Sequence, residues 1–207
     1  MIDFTLTQLV MRIGAVLFIS TLQGVAIAVA AVALGDAGPK HDGRLTINPL
    51  AHVDLIGDAV ALIFAAGWGR WVAVDPRALR HGRLDLLLVV AAGFFGIVLG
   101  VAALRWGRPF LLPLLPDTAA AAGFALIQTV IEIGLAFAVL SLLPVPPLAG
   151  GHLLVAVMPG WRDRLPRLSF FLGLILAALM FIGAFSRVLD PAVRFLSQLV
   201  LGEDVGM

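Results

Sequence analysis

Cysteine is missing from all 207 residues, and lysine occurs once, as Lys40, among 14 basic residues. Without cysteine there is no disulfide framework, no thiolate nucleophile and no Cys-ligated zinc or iron–sulfur site. Charge of either sign is scarce: 13% of residues are charged, about half the share of an average soluble domain. The formal net charge is +1, which names no nucleic-acid or polyanion partner. No low-complexity linker and no repeat of 20–50 residues appears, so a solenoid or array is excluded. Arginine-heavy, alanine-rich usage points to a bacterial source.

What the chain has instead is hydrocarbon. Apolar residues make up 61% and the mean hydropathy is +1.06. A soluble fold of this length could not hide that surface, whereas a bilayer accepts it. The expected fold is all-α, a polytopic transmembrane bundle forming one domain over 1–207. Four segments reach bilayer length, at about 8–34, 84–104, 119–143 and 167–186. The first is too long for a signal-peptide core and lacks a clear cleavage site, so it reads as a retained helix.

Two apolar stretches, 55–68 and 148–158, are too short to cross and read as re-entrant or interfacial. Residues 191–201 read as an interfacial helix, with Ala192, Phe195, Leu196 and Leu199 on one face. If 55–68 does not cross, the loops 35–50, 69–83 and 144–167 share one side and carry nine Lys/Arg. That side is then cytoplasmic and both termini lie outside. Trp68, Trp71, Trp106 and Trp161 fall near segment ends, where interfacial anchors belong. The small residues of 84–104, Gly93, Gly96 and Gly100, are expected to pack within the bundle.

Two patches carry more than composition. One is Leu34-Gly35-Asp36-Ala37-Gly38-Pro39-Lys40, continued by Gly43-Arg44-Leu45-Thr46-Ile47-Asn48-Pro49-Leu50-Ala51-His52-Val53-Asp54. The other is Leu142-Leu143-Pro144-Val145-Pro146-Pro147-Leu148-Ala149-Gly150-Gly151-His152. In this order, on a polytopic chain, they resemble the site-2 protease family of intramembrane zinc metalloproteases in its short bacterial form. The resemblance covers about residues 15–160.

It implies two zinc-binding histidines one turn apart on the first helix, a glutamate activating a zinc-bound water, and an Asp ligand in the proline-rich patch. Counting from Gly35-Asp36, those positions fall on Gln23, Gly24 and Ile27. In the second patch the Asn and Asp positions are Ser141 and Ala149. A G-P-x-x-N-like stretch that holds substrate becomes Ala92-Gly93-Phe94-Phe95-Gly96-Ile97. Gln23 is a poor zinc ligand, and Gly24, Ile27 and Ala149 offer neither a ligand atom nor a base. The family cofactor is zinc; the cofactor expected here is none.

The expected function is therefore that of a pseudoprotease: an accessory subunit or assembly factor binding another membrane protein or transmembrane helix in the bacterial inner membrane. The alternative is an active intramembrane zinc metalloprotease with non-standard ligands, for which His52, Asp54 and His152 are the candidates. A small transporter on the same bundle ranks behind both, since Glu132 is the one central charge.

His41 and His81 read as solvated loop residues, and His152 as surface or interfacial. Arg12 and Asp85, near helix ends, read as snorkelling or hydrated, and Asp58 as a cap for the short helix. Gln128 lies one turn from Glu132 and can hydrogen-bond to it. His52, Asp54, Gln128, Glu132, Ser141 and His152 together form the candidate polar niche or partner contact.

Overall fold

The computed structural model describes residues 5–158, 160 and 164–202. Among the described residues eight α-helices follow one another: α1 (Leu6–Ala33), α2 (Gly38–His41), α3 (Leu55–Phe64), α4 (Asp85–Leu111), α5 (Asp117–Ser141), α6 (Gly151–Val157), α7 (Leu165–Phe181) and α8 (Ser186–Leu201). Among the described residues no strand occurs. The all-α expectation therefore stands. Trp161 and Arg162 lie outside the described residues.

Among the described residues three helical stretches, Leu6–Ala33, Gly82–Leu114 and Asp117–Ser141, are long and apolar enough to cross a membrane. The fourth expected span differs: α7 has 17 residues, roughly 25 Å at 1.5 Å per residue. It ends at a turn in which Gly183 takes a φ of +71°.

α1 opens with a capping box, Thr5 and Gln8 each accepting the other's backbone N–H. Its centre packs against α4 through the expected glycines. A Cβ on Gly96 would lie 2.6 Å from Ala26 Cβ, and one on Gly93 would lie 2.8 Å from Ile27 Cγ1. Only glycine lets the two backbones approach this closely. α5 completes a three-helix core in which Ile19, Ile97, Val101, Ile131 and Leu135 are buried.

Residues 55–68 do not continue across this bundle. α3 starts beside the middle of α1, where the Ser20 hydroxyl donates to Asp58 Oδ1 at 2.7 Å. It runs back toward the start of α1, where the Arg12 guanidinium donates to the Leu62 and Ile63 carbonyls at 2.6 and 3.3 Å. The chain then returns to its starting level, with Arg70 N–H donating to His52 O at 2.7 Å. The segment folds back as a hairpin, in keeping with its being too short to cross. Arg12 is a corrected expectation: it caps the C-terminal carbonyls of α3 rather than snorkelling, a favourable place for a cation.

Trp68 is corrected as well. It is buried inside the hairpin, where a Cβ on Gly57 would meet its indole ring. Trp106 is exposed near the end of α4, as an anchor should be.

α8 begins five residues earlier than expected and uses a different face. Leu189, Val193, Leu196 and Leu201 pack into the core, while Phe195 and Leu199 are exposed.

Candidate functional site

The loops between α1 and α4 and those around α6 meet at one end of the bundle. Leu34 and Val74 pack there with Leu79, Leu86, Val155 and Leu165. The Leu34-Gly35-Asp36 patch is a fastening. Gly35 has a φ of +119°, where a Cβ would lie 2.8 Å from the Ala78 carbonyl oxygen, so only glycine fits. Asp36 is buried and accepts from Gly38 N–H at 2.8 Å and Asp75 N–H at 2.7 Å, joining two distant loops.

The first long helix and the proline-rich turn do come together, and they meet through hydrocarbon. Ile27 and Ala149 share one closed apolar cluster with Ala31, Val72 and Val89. Gln23 is buried beside it on α1, and its Nε2 has no hydrogen-bond partner. A Cβ on Gly93 would lie 3.5 Å from Gln23 Cγ, so α4 closes the other side.

Gly24 is held open for a neighbour. The His52 ring occupies the space a side chain at position 24 would need, and a Cβ there would overlap Nδ1. His52 is fully buried. Its Nε2 lies 2.9 Å from the Thr46 carbonyl oxygen, so Nε2–H is the donor and Nδ1 keeps a lone pair, which no donor meets. Burial holds its pKa below the ordinary value and keeps the ring neutral.

A catalytic zinc takes about three protein donors and an open position. Gln23, Gly24, Ile27 and Ala149 do not fit that requirement, since an amide, a bare backbone and two hydrocarbon side chains line the place. Among the described residues, no three His, Asp or Glu side chains converge elsewhere as a cation-binding group.

The remaining candidate residues hold backbone. Asp54 caps α3, its Oδ1 accepting from Ile56 N–H at 3.1 Å and Gly57 N–H at 2.8 Å. Asp58 sits four residues on; its Oδ2 reaches back to Asp54 N–H at 3.0 Å, so the pair closes the helix start between them. Ser141 donates to Ala138 O.

His152 corrects the surface expectation: it is 2% exposed and stacks flat on Trp71 with ring centres 4.1 Å apart. Its Nδ1 and Nε2 lie 2.9 and 3.0 Å from the Ala149 and Val72 carbonyl oxygens. Burial lowers its pKa, and the two carbonyls offset part of that. Gly151 permits the stack, since a Cβ there would lie 2.9 Å from Trp71 Cζ3. His81, expected to be solvated, is exposed but pairs with Asp85 at 3.1 Å. Asp85 is buried and also accepts His81 N–H, so it is not a hydrated end residue.

Gln128 Nε2 donates to Glu132 Oε1 at 3.2 Å, as the one-turn spacing predicted. Glu132 lines a cavity of about 150 Å³ with Arg12 and Thr129. Arg12 precedes Gln23 by roughly 16 Å along α1. The six niche residues thus separate into several places. His152 borders a cavity of about 470 Å³ with Asp36, Trp71 and Asp75, while Asp54 borders another, against α7.

Sequence reasoning missed the extended segment around Trp71 and Val72, whose carbonyls receive Arg44 and His152. The one available signal was the alternation of Gly67, Trp68, Gly69 and Trp71, small beside large in a stretch with no helical period.

No family model and no solved structure matches the chain. It is similar to a Bacillus subtilis (strain 168) protein named "Putative zinc metalloprotease YwhC". The two are 30% identical over 172 residues, which span 78% of this chain and 75% of the relative. With the membrane-length helices and both motif patches in place, the chain belongs to the site-2-protease-like family of membrane zinc metalloproteases.

Proposed function

We propose that this chain is a non-catalytic member of its family, a multi-pass inner-membrane pseudoprotease that binds another membrane protein as an accessory subunit or assembly factor. The observation that carries the reading is the apolar cluster joining Ile27 to Ala149. Hydrocarbon at two of the three donor positions, with a neutral amide, Gln23, at the third, supports a site that holds no catalytic cation. The retained motif residues support the same reading, because Asp36, His52 and Asp54 fasten loops and helix ends that a binding scaffold needs as much as an enzyme does.

The alternative, an active protease with unusual ligands, draws on His52 Nδ1, a buried lone pair without a donor. Asp54 and His152, its intended partners, are engaged with backbone groups elsewhere.

Purification of the full chain in mild detergent, followed by metal analysis and identification of co-purifying proteins, tests the proposal. The expected result is far less than one zinc per chain and a stoichiometric membrane partner. About one zinc per chain, with chelator-sensitive cleavage of a helical substrate, would overturn it.

A further inference from the structure

The re-entrant hairpin and α7 enclose a cavity of about 460 Å³ whose walls divide by chemistry. Arg44 and Arg70 supply donors on one side, and Trp68, Ile56, Pro147 and Phe170 supply apolar walls on the other.

The Arg44 side chain is 7% exposed and donates to the Ala51 and Trp71 carbonyl oxygens. Among the described residues no carboxylate lies within ion-pair distance of it. Burial first, and the charge of Arg70 second, hold its pKa below the ordinary value; Asp42 acts in the opposite direction. Arg70 is exposed, and its side chain has no hydrogen-bond or ion-pair partner among the described residues. Asp54 also borders the cavity, but its Oδ1 is committed to two backbone N–H groups.

A buried cation with no carboxylate at ion-pair distance is costly. An anion bearing several oxygen acceptors supplies that charge at short range. The outer wall indicates where it comes from. Phe170 and Phe171 on α7 are 58% and 62% exposed, so an apolar face runs on from the cavity mouth. The cavity also lies at the arginine-rich end, on the side that the charge rule assigns to the cytoplasm, where anionic lipids concentrate.

We propose that this cavity binds the phosphate of an anionic glycerophospholipid between Arg44 and Arg70, with the acyl chains lying along α7. The assignment is independent of whether the chain cleaves anything.

The test uses the full chain in mild detergent, offered phosphatidylglycerol, phosphatidylcholine or millimolar inorganic phosphate, with bound lipid read by native mass spectrometry and stability by apparent Tm. Phosphatidylglycerol is expected to be retained at one per chain and to raise Tm, and the other two are not. Arg70→Gln, which removes no hydrogen bond or ion pair of the described residues, is expected to leave the lipid-free Tm unchanged and to weaken phosphatidylglycerol retention roughly tenfold. Arg77→Gln, on the same end but outside the cavity, is expected to leave retention intact. Equal retention of the two lipids, or equal loss in Arg70→Gln and Arg77→Gln, overturns the proposal. Stabilisation by phosphate as strong as by lipid overturns the lipid assignment in favour of a free-anion site.

Discussion

Two neighbouring regions of the bundle were built from the same pair of motifs and have opposite chemistry. Around Ile27 and Ala149 the side chains are hydrocarbon and make no directional bond. Around Gly24 and in the loops beyond α1, polar side chains hold backbone, His52 Nε2 on Thr46, Asp54 on the start of α3 and Asp36 on Asp75, while Gln23 Nε2 and His52 Nδ1 stay unpartnered. The difference teaches that donor-bearing residues survive here where they fasten the scaffold, and that the positions without a structural task are the ones filled with carbon.

The contrast breaks most severely at Gly24. Gly24→Ala drives a Cβ into the His52 ring and is expected to cost about 3 kcal/mol, seen as a large fall in apparent Tm in detergent. Gly24→Glu is expected to be worse and to bring no zinc with it. An unchanged Tm would show that the ring can move aside. Next comes Asp36→Ala, which leaves two loop N–H groups unmet. It is expected to cost about 2 kcal/mol and to expose residues 35–80 to limited proteolysis.

Acidification is a milder probe. Burial keeps the pKa of both His52 and His152 below 6.5, so below that pH the unfolded chain binds protons that the folded chain does not. Stability present above about pH 6.5 is then lost as pH falls. The check is apparent Tm between pH 7.5 and 5.5, with a shallower slope expected in His152→Gln. The smallest effect belongs to Gly14→Ala. Its Cβ would lie an ordinary 3.7 Å from Leu126 Cδ1, so the same substitution ten residues earlier is expected to be neutral or to stabilise by up to about 1 kcal/mol. If Gly14→Ala costs as much as Gly24→Ala, the loss at 24 is a helix property and not a collision with His52.

Elements set by local pattern were legible in the sequence. Length and hydropathy located three membrane-length helices, and the shortness of 55–68 marked the hairpin. The order of motif patches brought Ile27 next to Ala149 before any coordinates. What escaped was set by partners far along the chain. His152 looked like a surface residue because its acceptor, the Val72 carbonyl, lies 80 positions away. Trp68 looked like an interfacial anchor because nothing local reveals that Gly57 makes room for it. Arg12 looked like a snorkelling residue because the carbonyls it caps belong to α3, about 50 positions on. Residue type announces that a polar group needs satisfaction, and only the tertiary fold says by what.

The two attachments of the hairpin to α1 have a mechanical meaning. A loop pinned at one point can pivot about it. This one is pinned at Ser20 and again at Arg12, roughly 12 Å apart along the helix axis, so rotation about either pin is blocked by the other. Any tilt of α1 therefore carries the hairpin with it as a stiff plate, and the compliance of that half of the molecule is concentrated in its seam with α7.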